Sequence, residues 1–355
     1  MSINESSYFK GRGAQVNTHN PYLKDKYVTE HIEGLDEEWM SNSKTEYYFE
    51  NPKKIINKVE SPDIPTGYSM NPYQGCEHGC IYCYARNSHQ YWGFSAGLDS
   101  ERKIVIKQNA PQILEKQLQH PQWEVYPIML SGNTDCYQPI ERKLEITRKI
   151  LEVLLKFKHP VSIITKNALI LRDIDLLKEL NKLDLVHINV TITSLDESLR
   201  QRLEPRTSTD KNRLNLVKEL SAAGLAVNVM VAPIIPGLNS HEVPEVIKQA
   251  AENGAVSAGY TIVRLNGSIA EIFTDWIKKN FPDRAEKVLH QIAECHNGQL
   301  NDSRFGKRMG GDGKVAESIQ QMFKIAKAKY MKGRKIKSLN CSIFRNDFNG
   351  QLSLF

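Results

Sequence analysis

Between residues 61 and 263, short β-branched runs keep alternating with helical patterns, and this alternation constrains the fold more than any other feature of the chain. The runs 103–106, 126–130, 161–165, 186–193, 225–231 and 256–263, most of them rich in Val, Ile and Thr, read as strands. Helical patterns separate most of them. The clearest covers 139–157, with Pro139 near its start and Ile140, Leu144, Leu151, Leu154 and Leu155 recurring along one face. Strands joined through helices form a parallel sheet. About six such units fit either an open, partial barrel or a doubly wound sheet, and periodicity does not choose between them. In both architectures functional groups collect beyond the carboxyl ends of the strands, where this chain places 131–135, Lys166, 194–196 and 233–239. A short run near 67–70 leads into a cysteine-rich loop, which therefore belongs to the same end.

A chain of 355 residues, 40% of them hydrophobic, buries a substantial core, and one large domain with appendages suits the pattern. Residues 1–60 read as a polar, irregular N-terminal extension, 61–295 as the core, 296–345 as a basic helical C-terminal region and 346–355 as a flexible tail. The extension contains the loop-like Gly11-Arg12-Gly13. No apolar run approaches the roughly 20 residues that cross a bilayer. Residues 1–20 also lack the apolar stretch of a signal peptide, so the expectation is a cytoplasmic protein with no membrane partner. Between 303 and 345 there are 12 Lys or Arg against Asp312 and Glu317. Such a surface attracts phosphate backbones, although charge runs also serve as plain solvated helix faces.

The chemistry begins at Cys76, Cys80 and Cys83, in the run Gly75-Cys76-Glu77-His78-Gly79-Cys80-Ile81-Tyr82-Cys83-Tyr84. Six cysteines in a chain of this length do not make a disulfide framework, and three clustered thiols suit a metal in a reducing compartment. Thiolates bind zinc or iron-sulfur clusters. A structural zinc needs a fourth ligand, which only His78 offers nearby, at a spacing that strains a tetrahedron. That alternative would make the chain a non-catalytic, zinc-stabilised adaptor for nucleic acid and clamp. A cubane on three cysteines instead leaves one iron open for a small molecule, at a potential suited to reductive chemistry.

The C-x3-C-x-aromatic-C pattern, with Tyr82 before the third cysteine, resembles the signature of the radical S-adenosylmethionine superfamily. Within it, Tyr82-Cys83-Tyr84, Thr134-Asp135, Thr165-Lys166 and Glu204-Pro205-Arg206-Thr207 resemble the spore photoproduct lyase group and its uncharacterised bacterial relatives, over about 65–265. Gly11-Arg12-Gly13 and 304–313 look more like those relatives than like the lyase. The resemblance implies an α/β fold, a partial (β/α)6 barrel of the radical SAM type. It also implies a 4Fe-4S cluster on Cys76, Cys80 and Cys83 and an external electron donor. S-adenosylmethionine would be held by the open iron and cleaved to a 5'-deoxyadenosyl radical that takes hydrogen from substrate. DNA, in repair or modification, is the expected substrate; RNA, protein or a small metabolite is the alternative.

Further roles follow from the same resemblance. Lys166 would pair with the methionyl carboxylate through a charge-assisted bond. Ser131, Gly132, Asn133 and Thr134 form a small polar turn for the amino group and ribose, with Tyr82 and Asp135 beside the cofactor. Thr191, Thr193 and Ser194 would reach the ribose, and the segment from Pro233 to Asn239 the adenine. Glu204 and Arg206 suggest a salt-bridged connection, while Tyr84 and Tyr137 would flank substrate or radical. The lyase has a cysteine hydrogen donor two positions before the residue matching Thr134; Gly132 stands there, leaving Cys136 as a displaced candidate. Cys295 and Cys341 read as inert thiols. The terminal Gln351-Leu352-Ser353-Leu354-Phe355 resembles the bacterial sliding-clamp-binding peptide, whose Gln amide fixes register while two apolar side chains fill a pocket.

Overall fold

The computed structural model describes residues 9–22, 44–64 and 66–346, so the peptide Gln351 to Phe355 lies outside the described residues. Ten strands occur among them: β1 (Glu46–Glu50), β2 (Ile56–Lys58), β3 (Tyr68–Met70), β4 (Tyr73–Gln74), β5 (Lys103–Lys107), β6 (Ile128–Leu130), β7 (Val161–Thr165), β8 (Val186–Thr191), β9 (Val227–Ile234) and β10 (Ser257–Ile262). They form a seven-stranded sheet in the order β10-β9-β8-β7-β6-β3-β2 and a three-stranded sheet β1-β5-β4. In the larger sheet β3 and β6 to β10 pair in parallel, and β2 joins antiparallel at the edge. The parallel strands follow one another in chain order without the reversal that defines a doubly wound sheet. This is the arrangement of a partial (β/α)6 barrel.

Membership of the barrel differs from the sequence expectation at one strand. The run at 103–106 does form β5, but β5 pairs with β1 and β4 in the small sheet, and the first barrel strand is β3. A β-branched run announces a strand without announcing its partner. The helix expected over 139–157 is also interrupted. Glu145 turns into the left-handed region at φ 52°, separating Glu141–Leu144 from Ile146–Lys156. The buried Glu141 carboxylate accepts the Thr147 N–H at 3.0 Å and so supplies a partner at the new helix start.

The two faces of the barrel sheet differ. Outward-facing Ile163, Ile188, Val190 and Val229 are buried under helices Ile146–Lys156, Ile174–Lys182, Asp210–Ala222 and Val243–Glu252. Each fully buried Ile, Leu or Val there contributes about 1.5–3 kcal/mol. Inward-facing Ser69, Met129, Asn189, Asn228 and Met230 are only half-buried, so the barrel interior is not a packed core. A second apolar cluster lies at the carboxyl end, where Ile81 and Tyr82 of the cysteine loop pack with Leu203, Phe273 and Trp276.

The described parts of the N-terminal extension are tied into both cores, through Ala14 in the second and Ile55 and Ile56 in the first. At the other end of the chain, helix Gly313–Tyr330 covers the β10 side, with Phe323 and Tyr260 ring centroids 4.6 Å apart. No helix among the described residues is long and apolar enough to cross a membrane.

Candidate metal centre and cofactor site

The cysteine loop leaves β4 and is shaped by two glycines in the left-handed region, Gly75 (φ 76°) and Gly79 (φ 70°). A Cβ on Gly79 would stand 2.7 Å from Glu101 Oε2 and 3.3 Å from Pro205 Cγ, so both the conformation and the space require glycine. Backbone bonds hold the loop on three sides. Cys76 N donates to Ser100 O (2.9 Å), Ile81 N to Leu203 O (3.0 Å), and Arg206 N to His78 O (3.2 Å). Cys76, Cys80 and Cys83 are all free thiols and all partly accessible. Burial pushes the Cys76 thiol up to about 12, and burial together with the Glu204 charge raises Cys80. A bound cation would have to displace those protons.

The donor set fits a cluster better than a single zinc ion. Among the described residues no three His, Cys, Asp or Glu side chains converge as ligands of one ion, whereas a cubane places each thiolate on a different iron. His78, the fourth ligand that zinc would need, is committed elsewhere. Its Nδ1 lies 3.4 Å from Asp135 Oδ2 and its Nε2 3.2 Å from Asn167 Nδ2. Burial lowers its pKa to about 4, so the ring is a neutral strut between loops.

Three buried carboxylates hold this loop in place. Glu101 accepts Ala14 N (2.7 Å), Gly13 N (3.0 Å) and the Arg86 guanidinium (2.5 Å), while Arg86 Nε donates to Cys80 O (2.9 Å). Glu77 accepts Ile140 N (2.9 Å) and faces Arg206 at 3.7 Å. Glu204 pairs with Arg213, and its other oxygen takes hydrogen bonds from Tyr82 and from Thr193 at 2.6 Å. Burial would raise the Glu204 pKa, but Arg213, Lys166 and these hydrogen bonds outweigh it and bring it to about 2.

Tyr82, Thr134, Asp135, Lys166, Thr191 and Ser194 lie at or beyond the carboxyl ends of the barrel strands, around the cysteine loop, with varied partners. Asp135 accepts Thr165 Oγ1 (2.8 Å), Lys166 N (2.8 Å) and Tyr137 N (2.9 Å), which makes it a brace between the loops after β6 and β7. Ser131, at φ 77°, accepts Cys136 N through Oγ at 2.8 Å; Thr134 Oγ1 donates to Tyr73 O at 2.8 Å. The turn also hangs on Asn71, whose Oδ1 accepts Asn133 N at 2.8 Å. Thr191 O accepts Arg213 Nη1 at 3.0 Å, and Ser194 Oγ bonds Glu242 at 2.9 Å. Pro233 O accepts Asn239 Nδ2, which also bonds Thr193 O.

Lys166 differs from these. Its ammonium sits 6.0 Å from the Tyr82 ring centroid and has no hydrogen bond or ion pair among the described residues. Burial lowers its pKa, yet Cys80 and Glu204 outweigh that and hold it above the ordinary value, so it is a cation.

Two proposed catalytic residues are not brought to this face. Cys136 and Tyr137 have no exposed surface and belong to the main apolar core, with Tyr137 OH bonded to Asp173 at 3.1 Å. Tyr84 is 50% exposed and its hydroxyl donates to Gly132 O, beside Cys83 in sequence. Glu204 and Arg206 do not pair with each other but with Arg213 and Glu77. Sequence reasoning missed Asn71, Glu101 and Arg213. The extension's glycines were the one available signal, since a Cβ on Gly13 would come 1.9 Å from Gly79 O.

A partial barrel of parallel strands with a three-cysteine loop at its carboxyl end defines a class, and the family model of the Radical SAM superfamily matches residues 70–250. The chain belongs to that superfamily and is a radical SAM enzyme, whose cofactors are a 4Fe-4S cluster and S-adenosylmethionine. It is 33% identical to an uncharacterized protein of Mycobacterium tuberculosis over 234 residues, 65% of this chain and 69% of the relative. An uncharacterized protein of Methanocaldococcus jannaschii is 29% identical over 252 residues, 71% of this chain and 90% of the relative. The sporulation killing factor maturation protein SkfB of Bacillus subtilis is 27% identical over 213 residues, 59% of this chain and 45% of that protein. Among solved structures, spore photoproduct lyase complexed with dinucleoside spore photoproduct superposes with a TM-score of 0.59 at 16% identity, covering 81% of this chain and 80% of the lyase. That likeness is one of fold.

Proposed function

We propose that this radical SAM enzyme acts on DNA, with Cys76, Cys80 and Cys83 holding the cluster and Lys166 pairing with the methionyl carboxylate of S-adenosylmethionine. The observation that carries the cofactor reading is Lys166, a cation among Cys80, Tyr82 and Glu204 that lacks an anionic partner of its own. When bound, the cluster and S-adenosylmethionine supply a 5'-deoxyadenosyl radical for hydrogen abstraction. The chain's residues orient that chemistry. Tyr82, fixed by Glu204 and Thr193, sets the floor beneath Lys166, and Asp135 fixes the loop that carries it. Tyr84, half exposed on the Gly132 turn, stands where substrate would arrive. Gly132 has no side chain and Cys136 is sealed in the core, so this turn offers no thiol hydrogen donor.

The DNA reading is supported by the fold shared with a lyase solved on a dinucleoside photoproduct, and by spare cations. Lys314, Lys324, Lys332 and Lys335 have no ion-pair partner among the described residues, whereas Arg308 is held by Asp63 and Lys307 by Asp312. The terminal Gln351 to Phe355 would serve as an address for the DNA polymerase sliding clamp, and deleting Leu354 and Phe355 should abolish clamp binding without changing cofactor cleavage.

The decisive experiment reconstitutes the full chain anaerobically and measures reductant-dependent 5'-deoxyadenosine. Lys166→Ala should raise the KM for S-adenosylmethionine about tenfold or more, the size of a lost charge-assisted hydrogen bond. Deuterium passing into 5'-deoxyadenosine from labelled DNA, and not from labelled RNA or peptide, is the expected result; transfer from RNA or peptide alone would overturn the substrate reading.

A further inference from the structure

The partial barrel is open along one seam, because the order of the large sheet ends at β10 on one side and β2 on the other. Two segments meet across that seam. On the β10 side, Ile262 N donates to Met309 O at 2.9 Å and fastens the Gly-rich segment 304–313 to the last strand. From the other side, the loop between β2 and β3 supplies Asp63. Its carboxylate accepts Gly306 N (2.8 Å) and Arg308 Nε (2.5 Å), and Arg308 also donates to Ser61 Oγ. Asp302 is likewise committed, accepting Arg304 Nε at 2.9 Å and Nη2 at 2.6 Å.

One cation in this region is left over. Arg264 stands two residues beyond β10, and while Val263 and Leu265 on either side are buried in the second apolar cluster, Arg264 is only half-buried. Its guanidinium lies within electrostatic reach of Arg308, Tyr84, Asp63 and Asp302, yet it makes no hydrogen bond or ion pair among the described residues. The two carboxylates nearby are occupied by Arg308 and Arg304. A guanidinium keeps its charge when partly desolvated, and its rigid fork of donors matches the paired oxygens of a phosphate or a carboxylate. Phe305 distinguishes the two. It is 60% exposed on the same segment, with the Arg308 guanidinium 4.5 Å from its ring centroid. An exposed ring beside cations is the arrangement on which a nucleobase stacks as its backbone is tracked, and a carboxylate ligand would leave that ring unused.

We propose that Arg264 binds a phosphodiester of the substrate strand at this seam, and that Phe305 stacks a base flanking it. The assignment rests on the reading that the enzyme acts on DNA. It places the strand's backbone outside the barrel interior, along the edge where half-exposed Tyr84 stands, and leaves Lys166 to the cofactor carboxylate.

The test uses the reconstituted full chain with saturating S-adenosylmethionine and follows the anisotropy of fluorescein-labelled dodecathymidylate, with labelled dodecauridylate in parallel. Arg264→Gln should weaken dodecathymidylate binding about tenfold, the scale of one charge-assisted contact. It should also reduce the slope of log K against log salt by about 0.7, the share of one phosphate on a single strand. Phe305→Ala should weaken binding about tenfold with the slope unchanged, because stacking releases no counterion. Lys337→Ala removes one charge at the amino end and should change neither quantity. Iron content and far-UV circular dichroism show that each variant is folded and loaded. Unchanged affinity and slope in Arg264→Gln, an equal loss in Lys337→Ala, or no binding of either oligonucleotide by the wild type would overturn the proposal. A parallel loss of S-adenosylmethionine affinity in Arg264→Gln would do the same by making Arg264 a cofactor residue. Arg264-dependent binding of dodecauridylate alone would sink the DNA reading and leave the phosphate site standing.

Discussion

The two ends of the barrel are held by different forces. At the carboxyl end the cysteine loop is fixed by charges with almost no exposure, Glu204 with Arg213 and Glu101 with Arg86. At the amino end the segment before residue 346 lies across the strand starts through ordinary contacts: Phe344 against Phe157 and His159, Arg345 N on Phe157 O, and an exposed Lys337–Asp184 pair. Buried ion pairs are a costly way to hold a loop, because desolvation consumes much of their attraction. They are informative here because apolar packing alone cannot fix thiols that must stay accessible. The carboxyl end gains a set geometry; the amino end gains only closure.

The sharpest way to break the contrast is Glu204→Ala. It leaves Arg213 buried without its anion, and a cost of about 3–5 kcal/mol is expected in urea unfolding, together with loss of iron retention. Because Glu204 stays ionised down to a pKa of about 2, this contribution is present above the ordinary carboxylate range and fades only as pH falls toward 2. A cost below 1 kcal/mol would show that the network is not what holds the loop.

The histidines blur the contrast and give the next largest effect. His159, at the amino end, has no exposed surface, and burial lowers its pKa to about 4 while its Nε2 accepts the Trp123 indole N–H at 3.2 Å. The unfolded chain binds this proton more readily than the folded one. The contribution is therefore complete above about pH 6.5 and is lost as pH falls through 4, by about 3 kcal/mol in all. His159→Gln keeps an acceptor for Trp123 and should flatten the pH dependence of the urea midpoint between 6.5 and 4. Parallel profiles for the two proteins would refute this account.

Much of this architecture was legible because it is local. The β7 run 161–165, the cysteine spacing and Lys166 at a strand end are each written within a few residues. The pairings that assemble the site span the chain. Gly13 and Ala14 meet Glu101 nearly ninety residues away, at a separation of 88 for Gly13, and no periodicity announces it. Cys136 stands close in sequence to Gly132, where the resemblance expects a donor thiol, and Tyr137 is expected to flank substrate, yet the fold packs both into the core. The strand at 103–106 was legible as a strand but not as part of the small sheet that supports the cysteine loop, since partner choice depends on contacts that a single run does not encode.

A pair of glycines sharpens the comparison at intermediate size. Gly79 at the carboxyl end and Gly333 near the amino end have similar φ, 70° and 77°. Alanine costs about 1–2 kcal/mol at either for the left-handed backbone alone. At Gly79 the new methyl also meets Glu101 Oε2 and Pro205, whereas at Gly333 nothing lies within 4 Å. Gly79→Ala should therefore destabilise more than Gly333→Ala and lower iron content, and equal costs would mean that the Glu101 brace yields freely.

Lys337→Ala should have the smallest effect of all. Lys337 Nζ lies 3.1 Å from Asp184 Oδ1, but the lysine side chain is 80% exposed, and pairs of this kind contribute about 0–1 kcal/mol. The contacts that hold this segment are made by its backbone instead, Lys337 O accepting from His187 and Asn340 N donating to Asp184 O at 2.8 Å, and the substitution leaves both in place. The urea midpoint should barely move, and adding salt should not widen the gap between variant and wild type, because screening already weakens the pair. A loss approaching that of Glu204→Ala would mean that the amino end, too, depends on charge, and the distinction between the two ends would fail.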